Sequence, residues 1–122
     1  MLQGNFFTLS SILQEANAAQ AVLAINPEHE IFGGHFPGTP VVPGVCMMQI
    51  VKEVLEDILA IDIKLIKAEH VKFLTVINPQ QTNSIQLDLK YTITDNGYAN
   101  TVASLFNDDI TYFKFKGLFR QV

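Results

Sequence analysis

The chain has a single cysteine, Cys46, among its 122 residues. That excludes an intramolecular disulfide and fits a reducing cytoplasm. Charge is scarce as well. Asp, Glu, Lys and Arg make up 16% of the chain, against about a quarter in an ordinary soluble protein. The eight basic residues form no cluster in the sequence and the net charge is −4, which argues against nucleic-acid binding. No basic stretch followed by an apolar run opens the chain, so no signal peptide is expected. No apolar run approaches the length of a membrane span. His29 and His70 stand at no metal-like spacing to His35, so no metal or cofactor is expected.

What the chain has in quantity is apolar residues, 48% of the total. A length of 122 residues predicts one domain, 1–122, with one ordinary core. The apolar excess over what so small a domain can bury predicts an oligomer, at least a dimer.

Hydrophobic periodicity gives the order of elements. Residues Phe6 to Leu13 read as a strand, with Phe7, Leu9 and Leu13 on one side. Asn17-Ala18-Ala19 reads as a turn, and Gln20 to Ile25 as a returning strand. From Val45 to Leu59 apolar residues recur at helical spacing, at Met47, Met48, Ile50, Val51, Val54, Leu55, Ile58 and Leu59. Gln49, Lys52, Glu53, Glu56 and Asp57 then form its polar stripe. Leu65 to Val76 is a strand of mixed alternation, closed by Asn78-Pro79. Ser84 to Thr94 alternates cleanly, with Ile85, Leu87, Leu89, Tyr91 and Ile93 on one face. Turns at Asp95-Asn96-Gly97 and Asp108-Asp109 separate it from strands Tyr98 to Asn107 and Ile110 to Arg120. This is an α+β pattern, an antiparallel sheet with one long helix on a face.

Between the second strand and the helix lies a stretch unlike the rest, Gly34-His35-Phe36-Pro37-Gly38-Thr39-Pro40-Val41-Val42-Pro43-Gly44. Three prolines and three glycines constrain one ionisable side chain, His35. Pro43 suits the first turn of the helix that follows. Two readings stand: a hydrogen-bonded structural histidine, or an imidazole mounted for acid–base chemistry on a substrate carbonyl.

The segment Phe32-Gly33-Gly34-His35-Phe36-Pro37-Gly38-Thr39-Pro40-Val41-Val42-Pro43-Gly44-Val45 closely resembles the signature of the bacterial 3-hydroxyacyl-[acyl-carrier-protein] dehydratases. Lys72-Phe73-Leu74-Thr75-Val76-Ile77-Asn78-Pro79 falls where that family has its counterpart. The resemblance implies a hotdog fold, in which the sheet wraps a central helix. It implies a hydro-lyase of fatty-acid or polyene-type acyl chain biosynthesis that eliminates water from a (3R)-3-hydroxyacyl thioester. It implies an acyl carrier protein or coenzyme A thioester as the partner. His35 takes the role of the catalytic base or acid, and Gly44 offers its backbone N–H to the thioester oxygen. Phe36, Pro37, Pro43 and Val45 belong to the substrate loop. Physical chemistry agrees, because removing a proton α to a thioester builds negative charge where a helix N-terminus presents free N–H groups.

One position departs from the family. The Glu or Asp that protonates the departing hydroxyl, supplied from the partner subunit, is matched here by Gln49. An amide has no proton to exchange near neutral pH. Gln49 also reads as the start of the solvated stripe. Glu53, one helical turn on, is a candidate substitute acid.

The remaining candidates carry plainer readings beside functional ones. Cys46 sits among Val45, Met47 and Met48 and reads as core. His29, between Glu28 and Glu30, reads as exposed, and His70 lies on a sheet face. Lys114, Lys116 and Arg120 share one face of the last strand, as a solvated surface or as a dock for an acidic carrier protein. Three functions compete. The first is a dehydratase, and the second a hotdog acyl thioesterase. The third is a non-catalytic or half-catalytic subunit paired with a complete hotdog dehydratase, in a heterodimer in place of a homodimer.

Overall fold

A computed structural model describes residues 2–33, 40–82 and 84–122. The strands are β1 (Phe7–Glu15), β2 (Ala18–Ile25), β3 (Ile63–Phe73), β4 (Ser84–Ile93), β5 (Tyr98–Asn107) and β6 (Ile110–Gln121), and the long helix is α1 (Gly44–Leu59). A 3₁₀ turn, Glu30–Phe32, lies between β2 and α1 in the sequence. The six strands form one sheet in the order β1-β2-β4-β5-β6-β3, with every pairing antiparallel. β1 and β3 are its edges.

The tight connections follow from residues that tolerate a left-handed backbone. Asn17 (φ 62°), Gly97 (φ 82°) and Asp108 (φ 50°) close the three hairpins. At the C-terminus of α1 the Ala60 N–H donates to the Glu56 carbonyl from a left-handed conformation. The Glu56 side chain in turn accepts from the Ile63 N–H at 2.9 Å, tying helix end to strand start.

One core fills the space between α1 and the sheet. The helix contributes Cys46, Met47, Ile50, Val51, Val54 and Leu55. The sheet contributes the alternating inward residues Leu23 and Ile25, Ile85, Leu87 and Leu89, Ala99 and Ala103, and Phe113, Phe115 and Phe119. The aromatic residues of β6 stack along the strand, with Phe113–Phe115 and Phe115–Phe119 centroids 6.4 and 5.8 Å apart.

Four expectations need correction. A bulge between Leu9 and Ser11 shifts the alternation of β1, so Leu13 turns outward while Phe7 is buried. The first turn is shorter than expected, because Ala18 already pairs with Glu15 and Lys90. Strand β3 starts at Ile63 and ends at Phe73, and the chain from Leu74 onward instead hangs on the Tyr112 carbonyl. Ile93, which ends β4 opposite Ala99, is exposed.

Candidate active site

The first turn of α1 is held from two sides. Val42 is buried and its N–H donates to the Ile77 carbonyl at 2.9 Å, which pins the incoming loop to the segment after β3. Pro43 is the N-cap, in extended conformation. Gly44 opens the helix against the ring of Phe73, and a Cβ there would lie 2.8 Å from two ring carbons. Glycine lets the ring lie this close, because any side chain would force the exposed Phe73 ring to shift. Phe73 itself stacks on Phe113 at 5.3 Å. The Gly44 and Val45 N–H groups have no acceptor among the described residues. Two free donors at a helix N-terminus are suited to an anionic or strongly polarised oxygen.

His35, Phe36 and Pro37 lie outside the described residues. Val45, which follows Gly44, is 75% exposed. With Met48, Gln49 and Lys52 it lines one side of an open trough of about 240 Å³, whose other wall is Leu65, Phe115 and Phe119. Gln49 lies about 7.5 Å along the helix from Gly44 at 1.5 Å per residue.

The largest departure from the sequence reading is Glu53. It was expected on the solvated stripe, and it is fully buried. Its carboxylate accepts the Leu2 N–H at 2.8 and 3.0 Å, the Gln3 N–H at 2.9 Å, and Gln49 Nε2 at 2.8 Å. Burial pushes this carboxyl up, but the hydrogen bonds from Leu2, Gln3 and Gln49 outweigh it and hold the group below its ordinary value. Glu53 is therefore an ionised clasp that fastens the start of the chain to the middle of α1. A depressed folded-state value means stability that is present above the ordinary glutamate range and lost as pH falls through the lowered value. Thermal melts should show a steep acid limb below about pH 4, the ordinary glutamate range. Glu53→Gln should lower stability at neutral pH by about 1–3 kcal/mol and flatten that limb. An unchanged limb in the variant would contradict the clasp.

Other candidates resolve plainly. Cys46 is buried and burial pushes its thiol up, which makes it core. His29 is half-buried where exposure was expected: its Nδ1 accepts the Ile31 N–H at 3.1 Å, capping the 3₁₀ turn, and its ring meets Phe6 edge-on. His70 is exposed on β3, opposite Lys116. Sequence patterning does not single out Phe73, or Leu2 and Gln3 as partners of Glu53. One signal was available: Glu53 lies one and two helical turns from the apolar Ile50 and Cys46, at i−3 and i−7, where a carboxylate requires a partner.

The sequence matches the ApeI-like family, described as ApeI dehydratase, over residues 11–114. Among curated proteins none matches. A similar solved structure is the dehydratase heterocomplex ApeI:P from Xenorhabdus doucetiae, 27% identical, with a TM-score of 0.67 over 92% of this chain and 96% of that one. An uncharacterised protein from Erwinia carotovora subsp. atroseptica is 21% identical, with a TM-score of 0.63 over 94% and 92%. A putative thioesterase from Ralstonia eutropha, a phenylacetic acid degradation-related protein, is 12% identical, with a TM-score of 0.66 over 95% and 84%. The last two likenesses carry the fold alone. The six-stranded antiparallel sheet around one helix is the hotdog fold, and with a match spanning residues 11–114 the chain belongs to the ApeI-like dehydratase family.

Proposed function

We propose that this protein acts on (3R)-3-hydroxyacyl thioesters of acyl carrier protein or coenzyme A, as a dehydratase subunit whose site lacks its own general acid. The observation that carries this is the start of α1: Gly44 and Val45 N–H groups without an acceptor among the described residues, nine residues after His35 in the sequence and with Gln49 five residues on. His35 removes the α-proton, and the N–H groups take up the charge that develops on the thioester oxygen. Elimination then requires a proton for the departing hydroxyl, and Gln49 has none to give. Glu53 does not substitute, because its carboxylate is ionised and occupied by three donor groups. Thioester hydrolysis is the lesser reading, because the family model that matches is that of a dehydratase.

This favours a composite site completed by a second hotdog subunit. In such a pair His35 faces the partner's carboxylate, while the partner's histidine faces Gln49. The similarity to a dehydratase heterocomplex supports the arrangement. The surface is suited to it. β3 is an edge strand, paired with β6 on its inner side only among the described residues, and Leu65, Ile66, Phe73, Leu74, Val76 and Val45 expose apolar side chains along it and beside it. Such an edge invites strand pairing with another copy or a homologous chain. Sedimentation at micromolar concentration should give a dimer or larger assembly. A stable monomer would contradict the composite site.

The outer face of the sheet fits an acidic carrier. Registered rows place Lys90, Val102, Lys116 and His70 side by side, and next to them Asp88, Ser104, Lys114 and Lys72. They enclose an open hollow of about 470 Å³. Arg120 continues the band opposite Lys64, and Lys116 is tied only loosely to Glu69, at 3.8 Å. Cations gathered on one face of a chain of net charge −4 are an electrostatic target for an acidic protein. The test is enoyl product formation from a short 3-hydroxyacyl group on pantetheine and on carrier protein. The protein is assayed alone and mixed with a hotdog subunit bearing both His and Glu. The account expects weak turnover alone, strong turnover in the mixture, and a lower KM for the carrier-linked substrate that rises with salt. Absence of product from the mixture beyond what the partner makes alone would contradict it.

A further inference from the structure

An ionised carboxylate offers acceptors only. At 2.8 Å from Glu53 Oε2, the nearer atom of the Gln49 amide must therefore be its nitrogen. The two ends of a side-chain amide are ordinarily hard to tell apart, but here chemistry settles the orientation. The same carboxylate is itself immobilised by the Leu2 and Gln3 backbone N–H groups. Gln49 is thus clamped through its nitrogen, and its Oε1 has no partner among the described residues. The residue lines the trough formed with Val45, Met48, Leu65, Phe115 and Phe119.

Resting on the dehydratase reading, we infer that Glu53 turns the Gln49 carbonyl oxygen toward the trough, where it accepts a hydrogen bond from the hydroxyl of a bound 3-hydroxyacyl chain. The polarity is the reverse of what elimination needs. A carboxylic acid at this place gives a proton to the hydroxyl oxygen, whereas Gln49 takes a hydrogen bond from the hydroxyl hydrogen. Such a bond is formed with the intact alcohol and not strengthened as the C–O bond breaks, so it contributes to recognition and not to rate. The apolar walls suit the hydrocarbon chain, and the single acceptor selects for a hydroxyl on it. Gln49 is a specificity residue, and Glu53 is the positioning residue that acts through it.

The test is calorimetric binding of two unreactive carboxamide analogues of an acyl-pantetheine, one with a 3-hydroxyl and one without, to the full chain and to Gln49→Met and Glu53→Gln. The unmodified protein should bind the hydroxylated analogue about five- to tenfold more tightly, as one neutral hydrogen bond allows. Gln49→Met should abolish the preference by weakening only the hydroxylated analogue. Glu53→Gln, in a folded variant, should shrink it while leaving the other analogue unaffected, a selectivity that a merely structural role would not produce. Equal binding of the two analogues by the unmodified protein overturns the inference while the dehydratase reading stands. So does a preference that survives in folded Gln49→Met. Failure to bind either analogue overturns both.

Discussion

Gln49→Glu raises kcat for dehydration of a short 3-hydroxyacyl thioester by the isolated protein, by something approaching the ~10²–10⁴-fold of a general acid term. The geometry makes this more than the restoration of a residue type. The new carboxyl would stand against Glu53, in place of an amide nitrogen now 2.8 Å from Oε2. Two carboxylates at that separation cannot both ionise, so the pair retains one proton well above the ordinary glutamate range. Glu53 keeps its backbone donors from Leu2 and Gln3, which favour its charged form. The proton therefore resides mainly on the new group, where it can be given to the departing hydroxyl. The gain appears chiefly in kcat, because the interaction acts in the transition state. Activity should fall as pH rises through the raised apparent value, since the protonated form is the active one. Kinetics of enoyl formation across pH check this. No gain in a folded Gln49→Glu assembly would mean that the site has diverged at more than this position.

His35→Ala should remove the chemistry at its first step. The base term is worth about 10²–10⁴, and neither of the other two imidazoles lines the trough beside Gln49. His29 is engaged in capping the 3₁₀ turn through Nδ1, and His70 lies on β3, opposite Lys116. The readout is exchange of the α-proton of a thioester substrate with solvent deuterium, followed by mass spectrometry, alongside a circular dichroism spectrum to establish that the fold is unchanged. Intact exchange in the folded variant would return His35 to a structural role.

Much of the fold was legible because several elements carry unmixed periodicity. β5 runs from Tyr98 to Asn107 as its alternation predicts, and α1 begins one residue earlier than its apolar pattern. The failures lie where local pattern does not determine the outcome. A single bulge after Leu9 reverses the facing of Leu13, and no residue in β1 announces it. β3 reads as mixed because it is an edge strand, with most of its side chains exposed. Glu53 was misplaced because its partners, Leu2 and Gln3, lie about fifty residues away at the start of the chain. Sequence spacing within a helix says which face a residue occupies, but not what a distant segment brings to it. The stretch bearing His35 is the reverse case: its density of Pro and Gly and its resemblance to a dehydratase signature single it out in the sequence, while residues 34–39 lie outside the described residues.

The central claim is that this chain supplies a base and an oxyanion site but no acid. Deuterium exchange into the α-carbon of a 3-hydroxyacyl thioester in heavy water separates these parts, because exchange needs the first two and elimination needs all three. The account predicts that the unmodified protein alone incorporates α-deuterium much faster than it releases enoyl product. Elimination that keeps pace with exchange, or the absence of any exchange from a folded assembly that binds the thioester, would contradict it.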